Sequence, residues 1–227
     1  MTVQPPAERG RPPLIGDQAP DFTARTTMGL RSLASYRGRW LLFLSHPADF
    51  TPVCTSEFIA FSRLYPEFQA QECDILALSV DSLYAHLAWV QAIADHAGIV
   101  VPFPIVEDPT MEVARAFGMI HRDARDSATV RASIVIDPAG IVRATTCYPV
   151  AAGRNAAEHL RLVTALREAD RTGGLAPENW QPPQPLLRPP PESVEELRGA
   201  GGQSAEWLIR PLMPMIPNTK PPRGRRA

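Results

Sequence analysis

Lysine is almost missing from this chain: Lys220 is the only one, and the remaining basic charge is arginine, an imbalance we read as coding bias rather than function. The formal net charge of −1 leaves no basic footprint, so neither nucleic acid nor an anionic membrane is an expected partner. No apolar run is long enough to cross a bilayer, and none follows Met1 in the manner of a signal peptide. Cysteine is scarce too. Cys54, Cys73 and Cys147 cannot all pair within one chain, which excludes a disulfide-stapled scaffold and favours a reducing, cytoplasmic setting. His86, His96, His121 and His159 share no metal-ligand spacing with these cysteines, so no metal site and no cofactor are expected. No internal repeat is present.

What the chain does have is proline, unevenly spread. Pro5, Pro6, Pro12 and Pro13 make residues 1–13 an extended lead-in. Twelve of the 25 prolines lie from Pro177 onward, so a compact α/β core does not continue there. The expected division is a lead-in over 1–13, one domain over 14–172, an arm over 173–215 and a tail over 216–227.

Between the proline-rich ends, short apolar runs alternate with helical periodicity. Strands are expected at Leu41–Leu44, Asp74–Val80 and Phe103–Val106. A helix capped by Asp81 or Ser82 should run to about His96 and close at Gly98, and a shorter one should cover Thr110–Phe117. Ala132–Ile136 and Ile141–Cys147 flank Asp137-Pro138-Ala139-Gly140, a hairpin signal, and Asn155–Asp170 reads as a long amphipathic helix. Ser32–Tyr36 reads as a short helical turn. This alternation predicts an α/β sheet with helices on both faces.

Residues 41–68 organise the chain chemically. After the first apolar run come two prolines, Pro47 and Pro52, and then a helical pattern opening near Thr55 or Ser56, which Pro66 should kink or end. Cys54 therefore falls at a helix start, where free N–H groups and the local positive potential favour a thiolate. The competing reading of any lone cysteine is core filler, because free cysteines are among the most buried residues.

Pro47, Thr51 and Cys54 spell P-x-x-x-T-x-x-C, and SHPADFTPVCTSEF as a whole resembles the active-site segment of the peroxiredoxins, their one-cysteine branch in particular. The similarity runs from about Leu14 to Pro211. It implies a thioredoxin-like fold and a thiol peroxidase acting on hydrogen peroxide and small organic hydroperoxides. Cys54 would be the nucleophile, Thr51 a hydroxyl that can donate to one oxygen of the peroxide while accepting elsewhere, and Pro47 a loop restraint with no N–H to compete for the sulfur. By the same resemblance Arg131, in RASIVID, supplies the cation, and Glu57 and Arg154 orient it. For an isolated arginine at that place the alternative is a strand-edge charge in solvent. His46 stands open between a supporting role and a packed, hydrogen-bonded histidine.

Two-cysteine relatives carry a resolving cysteine where this chain has Ala176, in Leu175-Ala176-Pro177-Glu178-Asn179-Trp180. Cys73 and Cys147 are expected as core or strand-end residues, so an external thiol, of thioredoxin, glutaredoxin or small-molecule type, is the expected reductant. The arm is similar to one that relatives wrap around a two-fold partner, which implies a homodimer or a larger, decameric ring. The lipase-like activity of some one-cysteine relatives is not expected, because Arg39 stands where their serine would be. A different class of reading is a peroxide sensor or holdase switched by Cys54 oxidation. A disulfide reductase would need C-x-x-C, whereas Thr55-Ser56-Glu57 follows Cys54.

Overall fold

The computed structural model describes residues 2–3, 12–120, 126–199 and 208–212. His121, the 216–227 tail and most of the 1–13 lead-in, all named above, lie outside the described residues. Eight strands form one mixed sheet: β1 Thr2–Val3, β2 Phe22–Thr26, β3 Gly29–Ser32, β4 Trp40–Ser45, β5 Cys73–Ser79, β6 Ile105–Glu107, β7 Arg131–Ile136 and β8 Val142–Tyr148. Their order is β1-β2-β6-β5-β4-β7-β8, with β3 paired to β2. The helices are α1 Pro52–Arg63, α2 Tyr65–Ala70, α3 Leu83–Ala97, α4 Glu112–Ala116, α5 Ala156–Thr172 and α6 Val194–Gly199.

β4 is buried at every position because it lies mid-sheet, parallel to β5 and antiparallel to β7, with both its faces covered. Alternation along the strand sends Leu41 and Phe43 into a core with Leu76, Leu78, Ile134 and the α4 residue Val113. Phe58, Phe61, Phe68 and Trp89, from α1 to α3, form an aromatic group outside that core. Phe58 meets Trp89 at 4.6 Å and Phe61 meets Phe68 at 6.3 Å, while Phe103 joins from outside these helices, 5.4 Å from Phe58. This is the thioredoxin-like fold, an α/β sheet with helices on both faces.

Several local expectations shift. The hairpin β2–β3 was not expected: β3 has no buried face, so its sequence carries no apolar alternation to read. α1 starts at Pro52, earlier than Thr55, because proline suits the first helical position, where an N–H would be unpaired anyway. Pro66 falls in the first turn of α2, beyond a break at Leu64, rather than inside one kinked helix. As expected, one of the two candidate caps, Ser82, caps α3 by accepting from Ala85 N, and Gly98 closes that helix at φ 64°. β6 and α4 are each shorter than expected.

Two contacts decide where the site lies. β7 runs antiparallel to β4, pairing Ser133 with Leu44, so the start of β7 sits beside the end of β4. The Ser45 hydroxyl zips that end, donating to Val130 O at 2.7 Å and accepting from Ala132 N at 3.1 Å.

By internal contacts the chain divides between Val163 and Thr164, within α5. The second unit has a small core of its own, Trp180 with Ala165 and Leu186, against which Leu212 packs. Short pairings tie Leu175 to Leu187 and Leu187 to Pro211, and Trp180 Nε1 donates to Gln184 O at 2.8 Å. Leu208 and Ile209 are exposed.

Candidate active site

Cys54 is the third residue of α1 and has no exposed surface. The first backbone bond at this helix start runs from Thr55 N to Thr51 O, so the N–H groups of Val53 and Cys54 precede the intrahelical ladder. They add positive potential beside the sulfur.

The guanidinium of Arg131, from the first position of β7, closes on the same sulfur. Its Nη1 donates to Cys54 Sγ at 3.2 Å and to Glu57 Oε2 at 2.9 Å. Nε and Nη2 both donate to the carbonyl of Val150, at 3.3 and 3.0 Å. Arg131 is 2% exposed, so all of this takes place away from water. Glu57, one turn after Cys54, also accepts from Arg154 N at 2.7 Å, Nε at 3.0 Å and Nη2 at 2.9 Å. Burial opposes its charge, but the hydrogen bonds and charge of Arg154, with Arg131 behind them, hold the carboxyl below its usual range. Arg154 in turn donates from Nη1 to Ala132 O at 2.8 Å. Two arginines share one carboxylate, leaving a buried excess of positive charge facing Cys54.

Between β4 and α1 the chain turns through Pro47, which is buried, to Thr51. The Thr51 hydroxyl donates to Ala48 O at 2.9 Å and makes no capping bond. Its oxygen therefore offers lone pairs in this state. His46 is wholly buried, its Nε2 lies 2.8 Å from Asp49 Oδ1, and its ring meets Phe58 edge-on at 4.9 Å. Burial lowers its pKa. The other Asp49 oxygen lies 2.7 Å from His86 Nδ1. His46, Asp49 and His86 are the only such grouping among the described residues, their ligand atoms within 4.8 Å of one another. Two ligands about 2.0–2.1 Å from a tetrahedral ion would stand roughly 3.3 Å apart. The separations here are hydrogen-bond lengths, so a shared proton fits each gap better than an ion.

The AhpC/TSA family model matches residues 15–145. A peroxiredoxin 2 of Thermoplasma acidophilum is 47% identical over 198 residues, spanning 86% of this chain and 98% of that protein. The chain belongs to the AhpC/TSA family, the peroxiredoxins. A peroxiredoxin 2 of Caldanaerobacter subterraneus is 45% identical, spanning 82% of this chain and 84% of that protein. Among solved structures, the yeast mitochondrial 1-Cys peroxiredoxin superposes with a TM-score of 0.75 at 37% identity, covering 82% of this chain and 91% of that one. As a peroxiredoxin the chain is a thiol-dependent peroxidase.

In this peroxiredoxin the P-x-x-x-T-x-x-C segment, Arg131, Glu57, Arg154 and His46 all surround one end of the sheet. Asp49 and His86 were missed by sequence reasoning. Asp49, three residues after His46, was a usable signal, whereas His86 comes from α3 and no spacing connects it to the motif. The Val150 carbonyl is backbone and has no sequence signal at all.

Cys147 lies at the end of β8, in line with the strand-end expectation. It is exposed because it shares with Thr145, two residues earlier and also exposed, the face of β8 that is open to solvent. Cys73 is buried at the start of β5, and burial, with Asp74 beside it, pushes its thiol up to about 12. It therefore stays protonated throughout the range of ordinary assays. In folded Cys54→Ser protein, a maleimide at neutral pH should label Cys147 promptly and leave Cys73 intact until the chain is unfolded. Prompt labelling of Cys73, read by peptide mass, would contradict this placement.

Proposed function

We propose that this peroxiredoxin reduces hydrogen peroxide and small organic hydroperoxides at Cys54 through a sulfenic acid that an external thiol resolves. The observation that carries the proposal is the Arg131 Nη1 shared between Cys54 Sγ and Glu57. The Cys54 thiolate attacks the terminal peroxide oxygen, a sulfur–oxygen bond forms and the O–O bond breaks. The departing alkoxide or hydroxide takes a proton from water. Before attack the thiolate balances the excess charge of Arg131 and Arg154 over Glu57. As negative charge passes to the leaving oxygen, Arg131 and the N–H groups of Val53 and Cys54 are already in place to receive it. In this reading Thr51 Oγ and His46 accept hydrogen bonds from the O–H groups of the peroxide and the sulfenic acid. Pro47 contributes stiffness to the loop.

An external thiol then attacks the sulfenic sulfur, releasing water and forming a mixed disulfide, which a second thiol reduces. Ala176 at the family's resolving position supports this one-cysteine route. The yeast relative is resolved through glutathione and thioredoxin systems, and we carry that class of reductant to this chain. Cys54 is fully buried, and a thiol reductant is bulkier than a small hydroperoxide, so resolution should be the slower half-reaction. A cytoplasmic role in peroxide detoxification and redox homeostasis fits three free cysteines, and among the described residues no helix is long and apolar enough to cross a membrane. The deciding experiment is steady-state peroxide consumption with thioredoxin, glutathione plus glutaredoxin, and dithiothreitol side by side. Turnover with at least one is expected, and stoichiometric consumption with none of them cycling would favour a sensor instead.

For the 173–215 arm the proposed role is assembly, as a homodimer or a larger ring. Its exposed Leu208 and Ile209 are apolar surface of the kind found at interface centres. Truncation after Thr172 should lower the particle mass in light scattering and the melting temperature. A truncated chain that keeps the full-length mass, melting temperature and peroxide rate would remove this role.

A further inference from the structure

The His46–Asp49–His86 cluster has more acceptors than the peroxidase reading uses, and its hydrogen bonds can be counted. His86 Nε2 lies 3.2 Å from the carbonyl of Val106, which only accepts, so that nitrogen carries a proton. One further proton lies between His86 Nδ1 and Asp49 Oδ2, 2.7 Å apart, and a third between Asp49 Oδ1 and His46 Nε2, 2.8 Å apart. The remaining ring nitrogen, His46 Nδ1, has no hydrogen-bond partner among the described residues, although the side chain has no exposed surface. Buried polar atoms are rarely left in this state without a reason.

We infer that Asp49, anchored by His86, is a positioning residue: it holds His46 with its ring proton on Nε2, keeping Nδ1 as a buried lone-pair acceptor beside the first turns of α1. The placement follows from the ring contacts. His46 packs on Phe58, which lies one turn beyond Cys54 on the same helix face, and lies 5.1 Å from Trp89. The anchor is tied down at its backbone as well, since Asp49 N donates to Asp81 Oδ2 at 2.9 Å. Burial works against an ionised Asp49, but the hydrogen bonds to His46 and His86 hold it below the usual carboxylate range. An ionised Asp49 can only accept, which obliges His46 to donate from Nε2. The opposite tautomer would bury an unpaired N–H, a rarer defect than an unpaired acceptor.

This inference rests on the peroxidase reading for its use, since a hydroperoxide and a sulfenic acid both bring protons that need acceptors near Cys54. Other groups at the sulfur, Arg131 and the helix-start N–H groups, are donors. The inference itself concerns the resting protein and is tested there. The reduced full-length chain, labelled with 15N-histidine, is measured at neutral pH by long-range proton–nitrogen correlation, and His46 is assigned by its loss in His46→Gln. The expected result is a protonated Nε2 and a bare Nδ1 for His46. In Asp49→Asn the amide oxygen can still accept from His46 and its NH2 can donate to His86. The His46 pattern should persist there, while His86 Nδ1 loses its shared proton and becomes bare. In Asp49→Leu the His46 signals should move to a mixture of tautomers. A wild-type His46 with its proton on Nδ1, or an Asp49→Leu pattern identical to wild type, overturns the inference. If Asp49→Leu does not fold, the wild-type and Asp49→Asn spectra decide. No peroxide is present, so failure here is separate from failure of Cys54 to consume peroxide.

Discussion

Cys54→Ser should abolish peroxide consumption, whereas Cys73→Ser and Cys147→Ser should keep most of it. The three thiols differ in surroundings rather than in kind. Cys54 alone among them receives a guanidinium hydrogen bond, at 3.2 Å, and sits in the first turn of a helix. Serine is close in size, but its hydroxyl stays protonated at neutral pH, so no nucleophile faces the peroxide. Cys73 is held neutral by burial, and Cys147 lies exposed on the edge strand. Loss of the thiolate should also leave the two arginines opposing Glu57 with one buried positive charge unbalanced, so the serine variant gains no stability from its good fit. The measurement is single-turnover peroxide loss for all three variants. Full activity in Cys54→Ser would transfer the chemistry to another thiol and end the present reading.

Arg131→Met should slow the second-order reaction of the reduced protein with peroxide by about a hundredfold, roughly 3 kcal/mol in transition-state stabilisation. Methionine is unbranched and fills much of the same buried space, so the loss is mainly of charge and of donors. Glu57 keeps its three bonds from Arg154, which limits the damage to the fold. Val150 O loses both of its guanidinium donors, so the loop carrying it should loosen as well. Stopped-flow tryptophan fluorescence is suited to the measurement because Trp89 lies in the aromatic group that includes Phe58, one turn beyond Cys54. An unchanged rate constant with an intact fold would show that Arg131 is structural and that the helix start alone activates the sulfur.

Much of this could be read before any coordinates, because it is local. The apolar run of β4, the turn with two prolines and the motif ending at Cys54 occupy fewer than twenty consecutive residues. Chain stiffness and helix-start geometry act over that range. The type of fold followed from alternating periodicities together with family resemblance, and resemblance rather than spacing named Arg131, Glu57 and Arg154. What tertiary structure decided is non-local. Arg131 is 77 residues from Cys54 and meets it only because β7 pairs antiparallel with β4. His86 reaches Asp49 from α3, 37 residues away, and no periodicity within either segment encodes that meeting. The direction of the Thr51 hydroxyl depends on the carbonyl of Ala48, whose orientation is a property of the folded turn. Cys147 is exposed because it shares the open face of β8 with Thr145, so its burial was a question of what covers that face and not of residue type. Hydrogen-bond partners and burial are set by which strands lie side by side, and this chain's strand order differs from its order in sequence.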